Sequence, residues 1–134
     1  MNAIEEEADF VVVGSGAAGA TAARWLSAAG RDVVIVEEGA APRPASGAID
    51  ALGTLYRDAG TTAAFGRDVL PLLQGRCLGG TTVVNGGIQV PFPEAVWREW
   101  VEREPRWASR LPWDALERAR ERMDRELGVA ATPR

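Results

Sequence analysis

The chain has 134 residues with 15 basic and 19 acidic groups, a net charge of −4, one cysteine and no histidine, and every basic residue is arginine. This composition excludes a Ser-His-Asp triad, a histidine metal site, an intrachain disulfide, a thiolate zinc cluster, a lysine Schiff base and a lysine-dependent phosphate loop. The acidic balance argues against a nucleic-acid partner, which needs clustered positive charge.

The acidic start, with Glu5, Glu6, Glu7 and Asp9, lacks the positive-then-apolar pattern of a secretory leader. No apolar run approaches the ~20 residues of a membrane span. The expectation is therefore a cytoplasmic protein without a membrane contact.

In chain order, the first element is Phe10-Val11-Val12-Val13, a β-branched run without polar alternation. Such a run fits a strand buried on both faces, as in a parallel sheet. The glycine-rich turn Gly14-Ser15-Gly16-Ala17-Ala18-Gly19 follows, and then a small-residue helix from Ala20 to Ala29. Gly30 stands where a left-handed helix-terminating residue belongs. Val33-Val34-Ile35-Val36 forms a second buried run, closed by Glu37-Glu38-Gly39. The pattern over 9–39 predicts a βαβ unit with a right-handed crossover.

Residues 40–74 carry no motif. Pro42 and Pro44 mark an irregular exit from the second strand, and Ser46–Ala59 is compatible with a short helix. A second glycine cluster spans Gly75 to Gly87 within a loop over 75–90. Beyond it, residues 93–128 read as helical. One helix covers Pro93 to Val101, and another begins at Trp113-Asp114 and closes at Leu127-Gly128. On the latter, Asp114–Arg118 and Glu121–Arg125 are spaced four apart in the acid-first order that favours pairing on a solvated face.

The chemistry is concentrated in the two glycine clusters. Gly14, Gly16 and Gly19 lie between a strand and a helix, as in dinucleotide-binding folds. There the first glycine permits the turn, the second admits the pyrophosphate and the third lets helix and strand pack closely. The helix N-terminus offers N–H groups and a positive dipole end to the phosphates, and Ser15 is read as adding its hydroxyl to them. Glu37 lies 37 − 14 = 23 positions after Gly14, close to the ~20 expected of a ribose-binding acid. An acid there disfavours the 2′-phosphate of NADP. FAD and NAD share this fingerprint, and the first motif does not separate them.

The second cluster, Gly75-Arg76-Cys77-Leu78-Gly79-Gly80-Thr81-Thr82-Val83-Val84-Asn85-Gly86-Gly87, resembles a signature of the glucose–methanol–choline (GMC) oxidoreductases. The stretches Asp9–Gly19 and Val36–Gly39 are similar to the same family's start. The resemblance implies an α/β fold, a Rossmann-like FAD/NAD(P)-binding βαβ arrangement that is incomplete and followed by a helical C-terminal segment. On that basis the whole chain, 1–134, is the N-terminal portion of an FAD-binding domain.

The resemblance implies that Gly14, Ser15, Gly16, Ala17, Ala18, Gly19, Glu37 and Glu38 hold the pyrophosphate and adenosine of a non-covalent FAD. It places Arg76 on the pyrophosphate or adenine side and runs the backbone of Gly79, Gly80, Thr81 and Thr82 along the flavin. Asn85, Gly86 and Gly87 would then lie close to the isoalloxazine ring. Val84 stands where some members carry a flavin-linking histidine, and Cys77 reads as a small buried residue rather than a flavin link.

The reaction the resemblance implies is oxidation of an alcohol CH–OH group with hydride transfer to flavin N5. The family's base is a histidine, so no catalytic residue is expected within this chain. The base and the substrate domain are expected on a partner polypeptide, as in a hetero-oligomer, or on a further C-terminal part. The alternative from another class is a non-catalytic module for adenine-dinucleotide binding or protein interaction.

Overall fold

A computed structural model of the chain describes residues 5–131. β1 (Phe10–Val13), α1 (Ala17–Ala28) and β2 (Val33–Val36) form the expected βαβ unit. The two strands pair in parallel, with Phe10 opposite Val33 and Val13 opposite Val36. Their ladder continues past the strand ends, where the Gly14 N–H donates to the Val36 carbonyl at 2.8 Å. This bond holds the glycine turn against the end of β2.

α1 ends as its sequence predicts. Gly30 adopts φ +76°, its N–H donates to the Ser27 carbonyl at 2.9 Å, and the Arg31 N–H reaches back to Leu26 at 3.1 Å. This paired closure satisfies carbonyls that the helix end leaves open and turns the chain into β2.

The middle of the chain is more structured than its sequence announces. α2 spans Ala48–Leu55, shorter than the 46–59 expected. Its start is fixed by Asp50, which accepts the Ser46 N–H at 2.8 Å and both guanidinium nitrogens of Arg43, at 2.7 and 3.1 Å. It stops at Leu55 because the backbone there pairs with a distant segment. The Arg76 N–H donates to Leu55 and the Arg57 N–H to Gln74, while Tyr56 bridges Gly75 in antiparallel sense. A tight turn over Arg57–Gly60 follows, with Asp58 and Ala59 at positive φ. A small antiparallel hairpin then forms from β3 (Ala63–Phe65) and β4 (Val69–Pro71). The sequence predicts only loop over this stretch, whose strands are three residues each and largely exposed.

The chain divides into two compact units between Gly87 and Ile88, so the last residues of the 75–90 loop belong to the second. That unit is helical, with α3 (Glu94–Arg103), α4 (Trp107–Arg110) and α5 (Trp113–Leu127). Aromatic rings cluster within it. Phe92 lies 5.2 Å from Trp100 and 6.3 Å from Trp113, centroid to centroid, and Trp97 lies 5.9 Å from Trp113. The Trp97 indole N–H donates to the Leu111 carbonyl at 2.9 Å. The helix faces carry ion pairs, Asp114–Arg118 at 2.6 Å among them, and Arg120 bridges Glu117 and Asp124. Exposed pairs of this kind add little stability singly. Among the described residues, no helix is long and apolar enough to cross a membrane.

Candidate functional site

The three glycines of the first turn meet three different demands. Gly14 sits at φ +90°, a conformation that a side chain would strain. A Cβ on Gly19 would stand 2.0 Å from the Gly14 carbonyl oxygen and 3.2 Å from Val12 Cγ1, so only glycine lets α1 approach β1 this closely. Gly16 is the opposite case, because a Cβ there would meet nothing within 4 Å. The space beside Gly16 is open, and Gly16 begins α1 without any side-chain cap. The N–H groups of Ala17, Ala18 and Gly19 occupy the first helical turn, where no intrahelical carbonyl can reach them. An open space faced by such donors fits the pyrophosphate of a dinucleotide.

Glu37, at the end of β2, is tied into this turn. Its Oε2 accepts the Ser15 backbone N–H at 2.9 Å and the Ser15 hydroxyl at 2.7 Å, and its Oε1 accepts the Gly39 N–H at 2.9 Å. These donors, the Ser15 hydroxyl foremost, pull the Glu37 pKa from 4.5 to about 2, so the carboxylate is ionised at any physiological pH. Ser15 and Gly39 take three of its roughly four lone-pair directions, and the Glu38 backbone N–H adds a weaker pull in the same sense. The sequence motif assigns the Ser15 hydroxyl to the phosphates. In the structure its one proton goes inward to Glu37, because a carboxylate can only accept.

Glu38 faces a different group. It pairs with Arg57 and, at 3.5 Å, with Arg76 Nε, and the Arg57 pKa is raised by that pairing. Arg76 is expected at the site from its motif, but Arg57 is not. It stands 19 positions from Glu38 on a turn with no motif, and nothing local in the sequence marks it.

The second glycine cluster folds against the first. The Leu78 N–H donates to the Ala40 carbonyl at 2.9 Å, which lays Cys77 beside the end of β2. Cys77 is 1% exposed, and burial raises its thiol pKa, so it is a packed, protonated thiol. Gly79, at φ +94°, donates its N–H to Ser15 Oγ at 2.8 Å. A Cβ on Gly80 would stand 3.3 Å from Gly16 Cα. A single 3-10 turn runs over Gly80–Val83. It is held by the Gly75 N–H donating to Thr81 Oγ1 at 3.1 Å and by the Thr82 hydroxyl donating to the Gly79 carbonyl at 2.6 Å. Both threonine hydroxyls are thus engaged within the loop itself.

The fold therefore brings Gly14–Gly19, Glu37 and Gly79–Thr82 together. Asn85, Gly86 and Gly87 lie past the turn, and no described hydrogen bond joins them to the first loop. Asn85 Oδ1 accepts the Gly87 N–H at 2.8 Å. Among the described residues, no His, Cys, Asp or Glu group could hold a metal ion.

Comparison with known proteins adds a family to this geometry. The family described as FAD dependent oxidoreductase matches residues 9–132. An uncharacterized GMC-type oxidoreductase of Mycobacterium tuberculosis is 42% identical over 130 residues, which cover 94% of this chain and 20% of that protein. The long-chain-alcohol oxidase FAO4A of Arabidopsis thaliana is 32% identical over 129 residues, covering 92% of this chain and 17% of that one. Among solved structures, a formate oxidase of Aspergillus oryzae RIB40, studied for the effect of a mutation on FAD modification, matches with a TM-score of 0.51 and 29% identity. That match covers 71% of this chain and 19% of the other. The chain spans about a fifth of the length of the curated relatives it matches.

Proposed function

Because this chain belongs to the FAD-dependent oxidoreductase family, whose cofactor is FAD, we propose that it supplies the FAD-holding part of an oxidoreductase acting on an alcohol CH–OH group. The observation that carries this reading is the meeting of the two glycine-rich loops at the uncapped start of α1, with open space beside Gly16 and an ionised Glu37 behind it. The similarity to a long-chain-alcohol oxidase supports the CH–OH donor class.

In this reading the first-turn N–H groups of α1 bind the pyrophosphate, and the Glu37 carboxylate takes a ribose hydroxyl. The Gly79–Thr82 backbone forms a wall without side-chain bulk, and Asn85 offers its amide to the ring. Bound flavin would supply the hydride acceptor for the carbinol carbon. The alcohol's proton needs a base, and the 134 residues contain no histidine. Glu37 is held near pKa 2 by Ser15 and Gly39 and is too weak a base for that task. The proposal therefore includes a base and a substrate-binding region on residues outside these 134, either on a partner subunit or on a further part of the same polypeptide. A cytoplasmic setting belongs to the same proposal, and fractionation of cells expressing the chain checks it.

The test is FAD titration of the chain and of Gly16→Ala, read by flavin fluorescence, with thermal unfolding of both apo proteins alongside. Gly16 has φ −64° and room for a methyl group. Two effects on apo stability oppose one another, a gain of about 0.4–1 kcal/mol through the unfolded chain and a loss because alanine caps α1 less well than glycine, so apo stability should stay within about 1 kcal/mol. The methyl fills the pyrophosphate space and pushes the phosphates off several N–H donors at once. FAD affinity should then fall on the order of a hundredfold, since hydrogen bonds to charged oxygens are the strong ones. Equal FAD affinity in both proteins would refute the site.

A further inference from the structure

Ser15 is 5% exposed and is the one buried polar residue among those described. Its hydroxyl has one proton and two lone pairs. The proton goes to Glu37 Oε2 at 2.7 Å, and a lone pair receives the Gly79 N–H at 2.8 Å across 64 positions of sequence. An ionised acceptor polarises the hydroxyl, which makes its oxygen a stronger acceptor in turn. The charge of Glu37 is thereby relayed to the backbone of the second loop.

The contact falls where it controls geometry. Gly79 is the left-handed residue from which the Gly80–Val83 turn departs, and the same turn is braced by Thr82 onto the Gly79 carbonyl. Gly79 is thus gripped on its N–H side by Ser15 and on its carbonyl side by Thr82. Without the hydroxyl, Glu37 would still hold the first turn through the Ser15 and Gly39 N–H groups, but the second loop would lose its tie to it.

We propose that Ser15 is a positioning residue that couples the two glycine-rich loops, its hydroxyl transmitting the placement of Glu37 to Gly79 and so setting the loop against which the flavin half of the dinucleotide lies. This rests on the FAD reading above. It gives Ser15 a role distinct from phosphate binding, and it predicts that losing the hydroxyl separates the two halves of the site.

The experiment uses Ser15→Ala in the full 134-residue chain, with two readouts. The first needs no ligand: amide hydrogen exchange at Gly79, with Gly14 and Leu78 as references because they donate to Val36 and Ala40 and not to Ser15. Gly79 should exchange at least about fivefold faster in the variant, with the references within about twofold, as expected for one lost hydrogen bond. The second compares FAD with ADP, which fills only the adenosine and pyrophosphate half. FAD should bind about tenfold more weakly, and ADP should lose distinctly less, about threefold at most, because Glu37 keeps the Ser15 and Gly39 N–H groups.

An unchanged Gly79 amide overturns the coupling. Equal acceleration at all three amides also overturns it, by reducing Ser15 to a general packing role. Equal weakening of both ligands confines Ser15 to the adenosine side and overturns the proposal as well. An unsubstituted chain that binds ADP and retains no FAD gives a different result: it overturns the FAD reading beneath the proposal, whatever the exchange data show.

Discussion

Glu37 shows how a residue chosen for a ligand is first used by the fold. Its carboxylate holds three donors before any ribose arrives, and they favour the ionised form, which is why the pKa falls from 4.5 to about 2. A carboxylate with a depressed folded pKa contributes stability that is fully present above its ordinary pKa of 4.5 and is lost as the pH falls from there toward 2. Asp50, held to about 2 chiefly by Arg43, loses its contribution over the overlapping range from 3.8 to about 2, so the acid limb of the unsubstituted protein mixes the two. Glu37→Gln separates them. Its amide NH2 faces N–H donors where an acceptor is needed, so the variant should be less stable near neutral pH. Its deficit should shrink as the pH drops through the range between 4.5 and 2. Thermal midpoints of both proteins across that range check this, and a deficit constant with pH would mean that Glu37 is not the ionised anchor of the turn.

At the scale of elements, the helical unit is organised around aromatic rings rather than a broad aliphatic core. Trp97 joins two of its segments, lying near Trp113 from α3 and donating its indole N–H to Leu111 just before α5. Trp97→Phe keeps a ring and removes the donor, leaving the Leu111 carbonyl without that partner. The cost should be about 0.5–1.5 kcal/mol, measured by denaturant unfolding followed through the remaining tryptophans. No change would mean that water replaces the indole at Leu111.

The elements also show what a sequence discloses. β1, the glycine turn, α1 and β2 are legible because each is encoded within a few neighbouring residues: an apolar run, spaced glycines, and Gly30 at the helix end. α3 and α5 are legible from Pro93, Trp113-Asp114 and Leu127-Gly128 at their boundaries. The hairpin of β3 and β4 is not, since three-residue exposed strands leave almost no periodicity to read. α2 reads as longer than it is because its end is set by backbone pairing with residues 74–76, which no local signal announces. The same reason hides Arg57 and the inward bond of Ser15. The residue types of the site are readable, and their joining across 64 positions belongs to the tertiary fold.

At the scale of the whole molecule, the parallel sheet of the first unit consists of β1 and β2 alone among the described residues. Parallel strands are ordinarily covered on both faces and continued on both edges. Here Val11 is 62% and Val13 84% exposed, and Phe10, Ile35 and Val36 are exposed as well. The apolar composition that makes these runs readable as buried strands is thus uncovered by the described residues themselves. An exposed apolar strand with a free edge recruits another strand, and at protein concentration the nearest supply is a second copy. The 134-residue chain by itself should bind a hydrophobic dye such as ANS and show concentration-dependent association in sedimentation. Val11→Lys places a charge on that strand, the device by which natural edges resist pairing, and should lower both signals severalfold while leaving the Gly14–Gly19 turn in place. A chain that stays monomeric and dye-free would mean that β1 is satisfied as it stands.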